Sequence, residues 1–162
     1  MKRTAIYPGT FDPITNGHIY MIERSLKMFD GVTVAVAMSP LKKTLFNVEE
    51  RVAMTREAVK GFDNIDVEAF DGLLVDFARL KRATAIIRGL RAVSDFEYEL
   101  QMALMNRKLD NELETIFMMP SLRYIFLSSS IVKEAASYGG TVTGLVPEVV
   151  EKALKKKFKR RR

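Results

Sequence analysis

The chain has 162 residues, within the roughly 100–200 residues of one ordinary domain, and a hydrophobic share of 48% that can fill a core without staples. Cysteine is absent, which excludes disulfides, thiolate zinc sites and cysteine nucleophiles together and suits a reducing, cytoplasmic setting. The net charge of +6 resembles that of a nucleic-acid binder, but seven of the last eight residues are Lys or Arg, so with +7 in the tail residues 1–154 carry −1. One domain is expected over 1–154, followed over 155–162 by a basic tail with the composition of disorder. Pro8, Gly9 and Asp12 break any signal peptide after Met1-Lys2-Arg3, and no apolar run approaches the ~18 residues of a membrane span.

Ala5-Ile6-Tyr7 reads as a first strand stopped by Pro8-Gly9. Ile19, Ile22, Leu26 and Phe29 recur at helical spacing. Val32 to Met38 is a nearly continuous apolar run, the pattern of a strand buried on both faces of a parallel sheet. Asn47-Val48-Glu49-Glu50 forms a capping box opening a helix that ends near Gly61. Ile65 to Phe70 is a third strand, Leu73 to Lys81 a helix, and Thr84 to Ile87 a fourth strand. Ser94-Asp95-Phe96-Glu97 reads as a second capping box, starting a long helix to about Asp110. Thr115 to Met119 is a fifth strand ended by Pro120. Ser128-Ser129-Ser130 leads a helix through Ala136, and Pro147 takes the first position of a last helix whose inner face is Val150, Leu154 and Phe158. Strands alternating with helices predict an α/β fold with a parallel sheet and a helical C-terminus.

Ligands of such sheets bind beyond the carboxyl ends of the strands. Thr10, Phe11, Asp12 and Thr15-Asn16-Gly17-His18 follow the first strand, Lys42 and Lys43 the second, and Arg88, Gly89, Leu90 and Arg91 the fourth. Ser121, Tyr124 and the serine triplet lie beyond the fifth. Cations and the one histidine gathered at one edge of a nearly neutral body predict a phosphorylated ligand. Serines at a helix start add free N–H groups and a positive dipole end, although Ser128 or Ser129 can equally serve as a plain cap. His18 has two readings, a locally bonded residue or a neutral imidazole donating to phosphate, and Gly17 before it would let a phosphate approach the backbone. Thr10 and Asp12 can be turn residues, the lysines solvated, and Glu97 the capping acid. The P-loop, G-x-G-x-x-G and G-x-S-x-G patterns are all missing, which leaves a nucleotide-phosphate site without a protein nucleophile.

Tyr7-Pro8-Gly9-Thr10-Phe11-Asp12-Pro13-Ile14-Thr15-Asn16-Gly17-His18 resembles the T/HxGH segment of the nucleotidyltransferase superfamily. In its full wording it is similar to the bacterial phosphopantetheine adenylyltransferase family. Ser39 to Lys43, Ile87 to Glu99 and Ser128 to Glu134 extend the resemblance, in order, over roughly residues 3–155. It implies a doubly wound, five-stranded parallel sheet of Rossmann-like type and transfer of AMP from ATP to 4′-phosphopantetheine, giving dephospho-coenzyme A and pyrophosphate. It also implies Mg²⁺ with the ATP, a homohexamer and coenzyme A as a feedback ligand.

Carried over residue by residue, the resemblance implies that Thr10 and His18 bind the reacting phosphates and that Lys42 neutralises the charge developing between them. Arg88 would hold the pantetheine phosphate, and Leu74 would line the pantetheine arm. Phe11, Gly89, Leu90, Arg91 and the stretch Tyr124, Ile125, Phe126, Leu127, Ser128, Ser129 and Ser130 would hold ATP, with Glu99 touching the nucleoside. Tyr124 stands where the family often carries Trp, and an aromatic ring is kept. Two alternatives stand beside this reading: another small-molecule nucleotidyltransferase, acting for example on nicotinate mononucleotide or glycerol phosphate, and a nucleic-acid binder using its basic tail. The length and sequence of the Arg88-to-Glu99 match favour the first reading.

Overall fold

A computed structural model describes residues 2–38 and 43–159, apart from the side chains of residues 93 and 94. In chain order the elements are β1 (Thr4–Gly9), α1 (Asn16–Leu26), β2 (Gly31–Ala37), α2 (Val48–Val59), β3 (Ile65–Phe70) and α3 (Leu74–Leu80). They continue with β4 (Ala85–Gly89), α4 (Val93–Leu109), β5 (Glu114–Met118), a 3-10 turn (Leu122–Tyr124), α5 (Ser129–Ser137) and α6 (Glu148–Lys159). The strands form one sheet in the order β3-β2-β1-β4-β5, and all four pairings are parallel. The expected α/β architecture is the observed one.

Parallel strands need crossovers, and here the helices fill both faces. Tyr7, Val32, Val34, Val36 and Ile87 pack with residues of α1, α2, α5 and α6. Ile6, Ala35 and Ile86 point the other way, onto Val75 and Ala78 of α3. Ile6, Val34 and Ile86 are wholly excluded from water, and each such aliphatic side chain stabilises the fold by roughly 1.5–3 kcal/mol. The strand order reverses between β1 and β4, because β2 and β3 extend the sheet to one side of β1 and β5 lies on the other. A crevice opens at such a reversal beyond the strands' carboxyl ends, so the loops after β1 and β4 face each other there.

Four local expectations change. Pro8 and Gly9, expected to stop the first strand, lie within β1 and pair with Ala35 and Val36 of β2. Arg88 and Gly89 lie within β4, paired with Phe117 and Met118 of β5, so the sheet runs two residues further than the apolar run suggests. The helix start expected at Ser94 falls two residues earlier. The chain turns into α4 at Ala92, which is extended and makes no side-chain cap bond, and this leaves Ser94 inside the first turn. The expected break after Leu154 falls within α6, which continues to Lys159. Phe158 follows Val150 and Leu154 at helical spacing onto the core, and Lys157 reaches Glu50 of α2 at 2.9 Å. The Asn47 capping box is formed, with the Glu50 N–H donating to Asn47 Oδ1 and the Asn47 N–H to Glu50 Oε2.

Candidate active site

The crevice at the β1/β4 reversal is a cleft of about 560 Å³. Thr10 and Phe11 come from the loop after β1, and His18 from the first turn of α1. Strand β4 and its loop bring Arg88, Gly89 and Arg91, while α3 and α4 contribute Leu74 and Glu99. Tyr124, Leu127 and the three serines close the far side. Leu90, Ile125 and Phe126 do not line the cleft: the Leu90 N–H is tied to the Met118 carbonyl, and Phe126 is 56% exposed. Lys42 lies outside the described residues.

His18 is the third residue of α1, and Thr15 is that helix's N-cap. The Thr15 N–H donates to His18 Nδ1 at 3.0 Å, so Nδ1 is an acceptor and the neutral ring carries its proton on Nε2. The ring stands edge-on to Phe11, with centroids 5.0 Å apart. Burial, with the charge of Arg91 adding to it, pushes the imidazole down to about 4. It is therefore a neutral donor at physiological pH, and the two readings of His18 are compatible: the local capping bond fixes the tautomer that a phosphate would use.

Phe11 has a φ of +48°, a conformation most side chains avoid. Its ring is buried over Gly9, where an added Cβ would meet a ring carbon at 2.9 Å. Asp12, 4% exposed, accepts from the Leu45 and Phe46 N–H groups at 2.9 Å and from Lys133 Nζ at 2.7 Å. It holds the loop after β1, the start of α2 and helix α5 together and makes no turn bond of its own. Of the serines, Ser128 caps α5 by accepting from the Ile131 N–H, Ser129 donates to the Pro13 carbonyl at 2.7 Å, and Ser130 is exposed.

Both arginines are partnered from α4, which lowers the free positive charge expected of this edge. Arg88 donates through Nε and Nη2 to the two carboxylate oxygens of Glu99, at 2.6 and 2.5 Å. Burial pulls its pKa down, but the hydrogen bonds and charge of Glu99 outweigh this and raise it. Arg91 lies 3.7 Å from Asp95 and donates to the Leu127 carbonyl. The sequence reading missed Arg51, which is 1% exposed and donates to the carbonyls of Thr10, Ala37, Phe46 and Met38. It draws the ends of β1 and β2 together beneath the cleft. Its place on the inner face of α2 was the available signal.

The family model described as cytidylyltransferase-like matches residues 6–135, most of the chain and both sides of the cleft. A protein of Thermodesulfovibrio yellowstonii named phosphopantetheine adenylyltransferase is 60% identical over 161 residues, covering 99% of this chain and 100% of its own length. The chain belongs to the phosphopantetheine adenylyltransferase family. Two further members, from Desulfatibacillum aliphaticivorans and Moorella thermoacetica, are each 56% identical, over 98% and 96% of this chain and 91% and 98% of their own lengths. Family membership makes the chain a nucleotidyltransferase of the cytidylyltransferase-like type, and the cleft at the strand reversal is where its own geometry gathers His18, Arg88, Arg91 and the serines before α5.

Proposed function

We propose that the chain transfers the adenylyl group of ATP to 4′-phosphopantetheine, giving dephospho-coenzyme A and pyrophosphate. The observation that carries this reading is the His18 ring, locked by Thr15 into the neutral tautomer with Nε2–H available, in the same cleft as Arg88 and Arg91.

A phosphate monoester has its second pKa near about 6, so at neutral pH it is already a dianionic nucleophile and requires no general base. One of its oxygens attacks the α-phosphorus of ATP. The new P–O bond forms as the bond from that phosphorus to the β-bridging oxygen breaks, and pyrophosphate leaves with the electron pair. Catalysis then consists of alignment and charge stabilisation. Arg88 holds the pantetheine phosphate, His18 Nε2–H and the Thr10 hydroxyl hold the reacting phosphates, and Arg91 with the start of α5 holds the ATP phosphates. Lys42 takes the charge-neutralising role that the resemblance implies, and Leu74 lines the pantetheine arm.

Asp12 and Glu99 are occupied by N–H donors, and the described residues hold no cluster of three or more acid or imidazole groups that could cage a metal. Mg²⁺ would thus be held by the ATP phosphates, where it supplies charge neutralisation. Self-association is supported by α4, where Tyr98, Leu104, Met105 and Leu109 are exposed, an apolar surface of the kind that marks interfaces; the count of six is what the resemblance implies. Coenzyme A shares the chemical parts of the product and would compete for the same cleft. None of the helices described is long and apolar enough to cross a membrane, and a cytoplasmic location fits the pathway. The nucleic-acid alternative is weakened because Lys155 and Lys157 pair within the chain, with Glu151 and Glu50.

The test is pyrophosphate release from ATP, Mg²⁺ and phosphopantetheine. Turnover by the wild type and its loss by orders of magnitude in His18→Ala, with folding retained, are expected. Turnover only with another phosphate acceptor would overturn the substrate assignment, and full turnover by His18→Ala would overturn the mechanism.

A further inference from the structure

Tyr7 lies in β1, two residues from its carboxyl end. It is 6% exposed, and its ring packs edge-on to Phe11 at 5.6 Å and lies 6.4 Å from the His18 ring, between centroids. A buried tyrosine ordinarily gives its hydroxyl a partner within the protein. Among the described residues this hydroxyl has none, and the one unpartnered side-chain polar atom sealed from water there is Thr55 Oγ1. The Tyr7 oxygen is therefore open, and the space beside it is the cleft that Tyr7 lines.

We propose that the Tyr7 hydroxyl is a substrate contact, donating a hydrogen bond to an oxygen of the attacking phosphate of phosphopantetheine. The inference rests on the function proposed above and deepens it, by adding a neutral donor to the site of that phosphate.

The sheet brings the hydroxyl to the right side of the cleft. Strands β1 and β4 are neighbours, paired at Ala5 with Ala85 and at Ile6 with Ile86. Tyr7 comes one residue past the last of these pairs and Arg88 two, so both stand at the mouth of the sheet. Burial pushes the phenol well above its usual range, while the charge of Arg88, and less strongly that of Arg91, pulls it down. The group thus stays protonated at neutral pH and can only donate to a phosphate dianion. The stronger influence of Arg88 puts it nearer the phosphate assigned to that arginine.

The chemistry of a phenol suits the place. Donors held in position before the ligand arrives need no reorganisation when it binds. Tyrosine has only two side-chain torsions, and packing on Phe11 and His18 fixes its ring. A hydrogen bond to a charged oxygen is roughly twice as strong as one between neutral groups. Phenylalanine would fill the same volume without a polar atom to desolvate, so packing alone does not call for the hydroxyl.

The test compares the wild type with Tyr7→Phe and Tyr7→Leu. Tyr7→Phe keeps the ring and removes a hydroxyl with no described protein partner, so its melting temperature should be unchanged or slightly raised. Its KM for phosphopantetheine is expected to rise about tenfold, with the ATP KM within about twofold and kcat little changed. Calorimetry without ATP should show the same loss of affinity for phosphopantetheine. Tyr7→Leu also removes the ring, and should lower the melting temperature and raise both KM values, the pattern of a structural defect.

An unchanged phosphopantetheine KM in Tyr7→Phe, beside an active wild type, overturns this inference and leaves the proposed function standing. A rise in the ATP KM alone, or a loss confined to kcat, would place the hydroxyl elsewhere on the reaction path and overturn it too. So would a Tyr7→Phe protein that behaves like Tyr7→Leu. A wild type that neither turns over phosphopantetheine nor binds it removes the functional reading itself, and this inference with it.

Discussion

Lys133 Nζ lies 2.7 Å from Asp12 Oδ2, so a residue of the last third of the chain anchors the loop that follows the first strand. Asp12 is already held by two backbone N–H groups, and the lysine side chain comes from the helix whose start faces the cleft. The ion pair sets the distance between the Phe11–Pro13 loop and the serines of α5.

Lys133→Met removes that tie and leaves a buried carboxylate with only neutral donors. The expected outcome is a lower melting temperature and a rise in KM for ATP of about tenfold, since small misplacements of a binding group are costly. Asp12→Asn is expected to be worse for stability, by about 2–4 kcal/mol, because one buried N–H would then face an amide NH₂. Urea melts and substrate titrations of both variants check this.

His18 is the one histidine in the chain, so its titration can be followed by NMR without assignment. The ring is expected to stay neutral, protonated on Nε2, until the pH approaches about 4. In the unfolded chain it titrates near 6.5. As pH falls from 6.5 towards 4 the unfolded state takes up the proton first, so this residue lowers stability across that window and contributes no pH dependence above it. The acid limb of kcat/KM for phosphopantetheine should instead lie near about 6, the second pKa of the substrate phosphate. An imidazole midpoint near 6.5 in the folded protein would contradict this.

Gly17 is the second residue of α1. An added Cβ there would sit at 3.5 Å from both the Thr15 hydroxyl oxygen and the Tyr124 Cβ, which the fold can accept but which occupies the cleft wall. Gly17→Ala should therefore keep or raise the melting temperature, helix propensity favouring Ala by about 0.8–1.0 kcal/mol, while turnover falls. Reduced stability with unchanged turnover would show that the glycine serves the fold.

Arg51 is expected to be needed by both. Arg51→Met strands four carbonyl acceptors and should cost several kcal/mol, as for other buried charged hydrogen-bond networks. Arg51→Lys keeps the charge but cannot span strands β1 and β2 together. Its melting temperature and KM for both substrates are expected to fall between those of the wild type and the methionine variant.

The sheet was legible because its strands centre on short apolar, largely β-branched runs separated by helical patterns, although β1 and β4 run on through Pro8-Gly9 and Arg88-Gly89. The Val32-to-Met38 run states its own two-sided burial. Most candidate residues were legible because parallel strands place their following loops on one edge. What escaped were contacts made across the chain. Arg51 looks like a surface charge beside Glu49 and Glu50; its spacing to Met54 and Thr55 hints at the inner face of α2, but the carbonyls it meets at the ends of β1 and β2 are far away in sequence. Asp12 before Pro13 has the local pattern of a turn, and its true partners are 33 to 121 residues away. The Arg88–Glu99 pair spans eleven residues and a strand-to-helix turn, and no periodicity reports it.

Helix α6 lines none of the cleft, yet it braces the loop that opens it. Val150 and Leu154 are almost fully buried in the core cluster that also holds Phe46, Val132 and Val142, and Lys157 Nζ sits 5.3 Å over the Phe46 ring. The Phe46 N–H, in turn, is one of the donors that hold Asp12. Without α6 that wall of the core lies open to water and the loop beneath the cleft is half-secured. Damage to α6 therefore reaches the cleft through Phe46 and Asp12, without touching any residue that lines it.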